Sequence, residues 1–379
     1  MYFLKNKMGS DEKDRAGIKK ILLVGDANGY FRIDYARNMK QERFQMDILS
    51  FTFCKPENRK FYKDVIECVR KTGNSKILTI KYYIDFFLCL LKLPQYDIIH
   101  IHSVKVIYSI FSFLFRRKCI FLISSIYGSD IYRVSKGERF LLHGLFNRSR
   151  YITVESDDMK KDFLRFFGER YVDRIAKVPF GVTQLNYIEE AKERIDKIKR
   201  ELHVPNDKLV LTIGYNATIE QHHLEIMRML KSESRFSDLF VIIPLSYGDK
   251  RYKEKVVRFF DESELQGLCF CDFWPIEDVC KLRVISDIMI QVQDTDAFST
   301  SMIEYLYSEN VIITGAWLPY SIISDYINVV DNLDSIPTML LDVIQNIHHY
   351  KAKSSNAIDF IKRNYSWNYL KPKWAQLYD

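Results

Sequence analysis

The sequence predicts an α/β protein of two doubly wound domains, each a parallel sheet covered by helices. Three observations predict it. Short β-branched runs alternate with helix-length amphipathic segments, the pattern of βαβ units whose strands are buried on both faces. The runs fall into two sets of five, and chain-breaking residues between Pro179 and Tyr187 separate the sets. At roughly 150 residues per domain, 379 residues supply two or three cores.

The first set of strands is expected at 20–25, 46–51, 97–102, 118–124 and 150–154. The second is expected at 208–214, 239–244, 268–273, 287–291 and 311–314. Pro179 and Gly181 break the chain between them, and 188–202 follows as a charged, solvated helix. The expected domains are therefore 1–182 and 183–356. The amphipathic stretch 357–379, with Trp367 and Trp374, is expected as a terminal helix packing back on the first domain. Hydrophobic residues at 47% and charged residues at 28% exclude a disordered or fibrous chain. Fourteen Gly and nine Pro are few for a loop-rich or all-β one.

The net charge of +7 suits an anionic small molecule or an anionic membrane face. No basic stripe interleaved with aromatics accompanies it, which ranks nucleic acid last among partners. Seven scattered Cys form no CxxC pair, and the charged stretch 8–20 has no signal-peptide pattern. Both predict a cytoplasmic protein with reduced thiols. The most apolar stretches, 77–93 and 106–115, are too charged or too short to span a bilayer. Each carries apolar residues at helical spacing, and the second runs into Arg116, Arg117 and Lys118. Core helices and helices lying on a membrane surface both fit.

Ligands of open parallel sheets bind beyond the carboxyl ends of the strands, which selects the loops to inspect. Gly25 to Tyr30 is not a GxGxxG fingerprint, so a nicotinamide dehydrogenase is disfavoured. Gly29 still lets a backbone approach a phosphate, though an ordinary strand-to-helix turn explains it as well. His100 and His102 share one face at a strand end, as core histidines or as ligands to substrate. Tyr127 to Tyr132 follows another strand, and Asp130 there either caps a helix or accepts from a sugar hydroxyl.

The most informative segment runs from Gln293 to Glu304. It follows a buried strand and leads into a helix whose first-turn amides, at Phe298, Ser299 and Thr300, form an anion site. Asp296 and Glu304 lie eight residues apart, roughly 12 Å along a helix. One carboxylate would take a sugar and the other a ribose, with a diphosphate between them. A capping Asp followed by an exposed helix Glu has the same spelling.

That segment resembles the acidic-x7-Glu motif of retaining GT-B glycosyltransferases of the family-4 type, with Asp296 as its first acid. Tyr96 to His102, Val178 to Val182, Val311 to Gly315 and Tyr365 to Trp367 match further family positions in order. Asn216, His222 to Leu224 and Ile243 to Gly248 are similar to bacterial 4-acetamidofucose transferases. The Arg and Lys that the family places after the first strand of its second domain are missing from Gly214 to His223. Asn216 and Gln221 or His222 fall at those places, with Lys250 and Arg251 as alternative cations. Tyr127 stands where the family has His.

The resemblance implies two Rossmann-like domains facing across a cleft. It implies transfer of a hexosyl or acetamidohexosyl group, with retention and without a metal or other cofactor. The nucleotide sugar is the donor substrate, and the acceptor is a glycan or lipid-linked glycan of bacterial surface polysaccharide synthesis. The protein is then cytoplasmic, with peripheral contact at the inner membrane leaflet. Asp296 would bind the donor sugar, Glu304 the ribose, and Phe298, Ser299 and Thr300 the phosphates. Asn216 and His222 would lie beside the diphosphate. Gly29, His102, Tyr127 and Asp130 would face the leaving group or acceptor, His102 and Asp130 as catalytic residues. A nucleotide-sugar epimerase, which needs no acceptor, and a non-catalytic partner subunit of the same fold are the rival readings.

Overall fold

The computed structural model describes residues 17–40, 43–69, 76–296 and 298–379. The charged stretch before residue 17, and Ala297 in the acidic segment, lie outside them. The chain divides into two compact units, the first ending at Gly181 and joined by Trp367–Asp379, the second spanning Val182–Ser366.

The first unit holds seven parallel strands: β1 Lys19–Gly25, β2 Phe44–Ser50, β3 Val65–Glu67, β4 Tyr96–His102, β5 Cys119–Ser125, β6 Ser149–Val154 and β7 Ile175–Lys177. Their order across the sheet is β3-β2-β1-β4-β5-β6-β7. Register is fixed by apolar pairs such as Ile21 with Ile98 and Val24 with Ile101. Side-chain alternation sends Leu22 and Val24 into one core and Ile21 and Leu23 into the core on the opposite face.

The second unit holds β8 Val210–Ile213, β9 Phe240–Pro244, β10 Gly267–Phe270, β11 Ile288–Gln291, β12 Val311–Gly315 and β13 Asn328–Val330. Their order is β10-β9-β8-β11-β12-β13. In both units strand order reverses beside the first strand, between β1 and β4 and between β8 and β11. Those are the topological switch points, where loops diverge and leave room for a ligand.

All ten expected strands are present, with ends shifted by a few residues. The largest shift is at 268–273, where β10 stops at Phe270 and Phe273 is exposed. Three strands were not expected: β3, β7 and β13, each three residues long and at a sheet edge. Such strands are too short for periodicity to register.

Two helical expectations need correction. The stretch 188–202 is not one solvated helix. It lies in two, Gln184–Lys192 and Ile195–Glu201, which bury Ile188, Ala191 and Ile198 in the second core. The stretch 357–379 is likewise broken, because Ser366 adopts an extended backbone. Ala357–Tyr365 packs into the second unit through Ala357, Ile361 and Tyr365. Only Trp367–Tyr378 joins the first, burying Trp367, Leu370, Trp374 and Tyr378. The Trp367 indole donates to Asp34 (2.8 Å) and the Trp374 indole to the Pro179 carbonyl (3.0 Å).

The apolar stretch 77–93 lies in the Lys76–Lys92 helix. The stretch 106–115 lies in Val106–Ile110 and Ser112–Arg117, separated at Phe111. Among the described residues no helix is long and apolar enough to cross a membrane.

Candidate functional site

In the second unit, the loop after β11 turns into the Thr300–Tyr307 helix through Asp296, Phe298 and Ser299. The Asp296 carboxylate accepts from the Ser299 amide (3.1 Å), the Gln291 side chain (3.1 Å) and the Tyr320 hydroxyl. It thus caps the helix and is anchored from β11 and from beyond β12. Phe298 has φ +65°, a left-handed conformation uncommon for a bulky residue. Its ring packs between Tyr320 and Tyr365, which holds that backbone turn against its strain. Ser299 caps through its backbone alone while its hydroxyl accepts from Gln291 (3.2 Å), and Thr300 opens the helix. The first-turn amides carry the partial positive charge of a helix start.

Glu304 is not the exposed helix Glu of the alternative reading: it is buried, with Arg283 Nε donating to Oε2 at 3.0 Å and Gln184 as a further partner. Arg283 is buried too. Its guanidinium lies 4.2 Å from the centre of the Tyr305 ring and donates to the Tyr305 hydroxyl at 2.6 Å. Burial raises the Glu304 pKa, and Arg283 opposes that rise.

Sequence reading missed Arg283. It stands in the run Leu282-Arg283-Val284-Ile285, just before a buried strand, where a cation has no water to face. An arginine so placed needs an acidic partner in the core, and that was the available signal.

The loop after β8 supplies His222 and Asn216. His222 adopts a left-handed backbone, φ 55°, and its Nε2 lies 2.9 Å from Asp294 Oδ1, so the histidine ties this loop to the one after β11. Asn216 is buried, and its side-chain oxygen accepts from the Thr218 amide (3.1 Å) and hydroxyl (2.9 Å). Gln221, at one of the places of the missing cations, donates to Gln293 (2.5 Å). Lys250 and Arg251 are exposed at the start of the Lys250–Ser263 helix. Among the described residues, none of the hydrogen bonds or ion pairs found joins them to Asp296 or Glu304.

In the first unit, Gly29 precedes the Tyr30–Met39 helix. A Cβ on it would meet Arg32 Nη2 at 2.2 Å, because the Arg32 side chain lies across Gly25 and Gly29 and donates to the Asp26 carbonyl (2.6 Å). Arg32 was not singled out in the sequence, where an arginine in a polar helix is unremarkable. His100 is a core residue: its ring nitrogens bond the Tyr378 hydroxyl (2.7 Å) and Ser125 (2.6 Å), and burial lowers its pKa to about 3.

His102 differs. Nδ1 bonds the Tyr127 hydroxyl at 2.8 Å, and Nε2 is buried with no hydrogen-bond partner. Burial, with His100 and Arg32 nearby, pulls its pKa well down, so the ring is neutral. Tyr127 packs between Phe31 and Phe180.

Asp130 corrects another expectation. Its two oxygens accept from the Tyr127 amide (3.1 Å) and the Val104 amide (2.8 Å), so they hold two loops together. Two buried N–H groups with no strand partner need those acceptors. Burial also raises its pKa. The arrangement is that of a positioning residue. Among the described residues, no three His, Cys, Asp or Glu side chains converge as a metal site would require.

Residues 20–156 match a family model described as glycosyl transferase 4-like. Solved structures of similar architecture extend the likeness over nearly the whole chain. A glycosyltransferase from Rickettsia africae superposes with TM-score 0.74 at 16% identity, covering 95% of this chain and 97% of that one. Anabaena HepE in complex with UDP and glucose gives 0.71 at 14% identity, covering 95% and 99%. Sucrose-phosphate synthase from Thermosynechococcus elongatus gives 0.69 at 10%, covering 95% and 98%. No curated protein matches the sequence significantly. The fold is that of the GT-B glycosyltransferases, with two Rossmann-like units.

Proposed function

We propose that this protein is a glycosyltransferase of the retaining, family-4 type. It would move a hexosyl or acetamidohexosyl group from a nucleotide sugar to a glycan or lipid-linked acceptor, as bacterial surface polysaccharide synthesis requires. The observation that carries this reading is the pairing, at the switch point of the second unit, of a helix start set by Asp296 with the buried Glu304. The glycosyl transferase 4-like match and the UDP and UDP-glucose complexes of Anabaena HepE support a nucleotide-sugar donor.

In this reading the donor lies on the second unit. The diphosphate sits at the helix start of Phe298, Ser299 and Thr300, with His222 and Asn216 beside it; because the Ser299 amide already donates to Asp296, the amides of Phe298 and Thr300 are the donors in this reading. As the bond from the anomeric carbon to the diphosphate oxygen breaks, negative charge grows on the departing diphosphate. In this reading the Phe298 and Thr300 amides and the helix start stabilise that charge, and no metal is called on. Asp296 receives hydroxyls of the donor sugar, and Glu304 receives the ribose. The acceptor lies on the first unit, near Gly29 and Tyr127, where the unpartnered Nε2 of the neutral His102 hydrogen-bonds an acceptor hydroxyl and orients it toward the anomeric carbon. Asp130 keeps those loops in place.

The test is a screen of nucleotide sugars for protection against thermal unfolding, followed by product formation on lipid-linked and free glycans. A ligand that binds only the native state raises the melting temperature. Transfer from the stabilising donor is expected. A donor altered in the absence of acceptor would replace this reading with epimerisation, and binding without any turnover would replace it with a non-catalytic subunit.

A further inference from the structure

The Lys76–Lys92 helix has two apolar faces with different fates. Phe86 and Leu90 are buried in the first unit, with Phe86 packed on Phe111 and Phe115. At 100° per residue, Ile80, Ile84, Leu88 and Leu91 fall within about 80° of arc on a different side, in a row about 16 Å long. All four are exposed, as are Ile110 and Phe113 on the two helices that follow β4, at 39–61% each. Between Ile80, Ile84 and Phe111 runs an open apolar groove of about 510 Å³. Soluble surfaces scatter such residues singly; a contiguous row marks a contact with something apolar.

Charge says what that contact is. Lys81 and Lys92 border the row on its own helix, and Arg116, Arg117 and Lys118 end the neighbouring one. Asp85 is the only acid between Lys76 and Leu93, and none lies between Val106 and Lys118. Lys118 folds back onto the Leu91 and Leu93 carbonyls, at 2.8 and 2.6 Å, which keeps positive charge at the end of the row. None of these cations enters an ion pair among the described residues. An apolar stripe rimmed by cations matches the boundary between acyl chains and anionic headgroups, where the stripe sinks by about 5–10 Å and each cation adds attraction.

We propose that this face of the first unit docks onto a lipid bilayer carrying anionic headgroups. Ile80, Ile84, Leu88 and Phe113 enter the acyl boundary, while Lys92, Arg116 and Arg117 meet phosphates. A lipid-linked acceptor would then be presented to the first unit from the membrane plane.

Vesicle binding is read without any sugar donor, so its outcome is independent of the transferase reading. The full chain is floated with vesicles of phosphatidylcholine alone and of phosphatidylcholine with one-third phosphatidylglycerol. Binding to the anionic vesicles is expected, at least tenfold above the neutral ones and weakening with salt. Ile84→Asp/Leu88→Asp, both at exposed positions, is expected to abolish it while leaving the melting temperature within a few degrees of the parent. Arg116→Glu/Arg117→Glu is expected to remove the preference for anionic lipid. Failure of the parent to bind, or equal binding by Ile84→Asp/Leu88→Asp, overturns the proposal. So does a dimer in gel filtration that this pair disrupts in a chain that ignores vesicles, since a second copy would then cover the face.

Discussion

Arg283 and Glu304 form an ion pair 3.0 Å apart inside the second unit, each side chain only 6% exposed. They come from the helices before and after β11, so the pair closes across the strand whose loop carries Asp296. A buried pair adds little stability over apolar residues of the same size, because both charges have left water. Its removal by halves is costly, and retention of such a pair suits a carboxylate that must stay fixed for a ligand.

Arg283→Met strands the Glu304 charge. It is expected to cost about 3–5 kcal/mol of stability, while Arg283→Met/Glu304→Leu regains most of the loss. Denaturant unfolding of the two single variants and the double one checks this through their coupling energy. Additive losses would show that the two charges do not interact.

Glu304→Gln keeps the shape and leaves Arg283 an acceptor. The fold should survive with a modest drop in melting temperature. Donor binding should weaken by about 1–3 kcal/mol, roughly 5- to 150-fold, as for a lost charged hydrogen bond. Calorimetric titration with the stabilising nucleotide sugar measures it. Unchanged affinity would remove the ribose assignment.

His222→Gly separates strain from function. The left-handed backbone costs an L-residue about 1 kcal/mol, and glycine relieves it while giving up the contact to Asp294. Stability is expected to stay within about 1 kcal/mol of the parent, with donor protection in the thermal screen reduced. A variant that loses stability and keeps full donor protection would make His222 a structural residue.

The first unit should weaken as pH falls below 6.5. His100 is held neutral in the fold, its pKa lowered to about 3 from 6.5, and His102 is shifted the same way. The unfolded chain therefore binds more protons below pH 6.5. Stability is full above that pH and falls as pH drops toward the folded values. From its shift alone, His100 should cost about 3 kcal/mol by pH 4. Melting temperature followed from pH 8 to pH 4 should bend downward near 6.5, with Asp47 and Asp130, whose pKa values burial raises, offsetting part of the loss at the acid end. A curve flat to pH 5 would contradict the neutral, buried assignment.

Much of this was legible in the sequence, for a physical reason. Strands buried on both faces leave continuous β-branched runs, so Ile21 to Val24 and Val311 to Ile313 announce themselves. Motif spacing likewise located Asp296, Ser299 and Glu304 on the loop and helix that carry them. Edge strands such as Val65–Glu67 bury too little to leave a pattern. Partners remote in sequence leave none: nothing around Glu304 names Arg283 as its partner, and the choice between helix cap and sugar ligand at Asp130 stays open until the Val104 and Tyr127 amides are seen on its oxygens. The break at Ser366 was hidden because both flanking helices are amphipathic.

The return of Trp367–Tyr378 to the first unit also sets an order of assembly during synthesis. Tyr378 supplies hydroxyl contacts to Tyr35 and His100, so the domain that is translated first lacks part of its interior until the ribosome has made that helix. The second unit, complete at Ser366, is free to mature earlier. Removal of Trp367–Tyr378 alone would spare the later-made unit and cripple the earlier one.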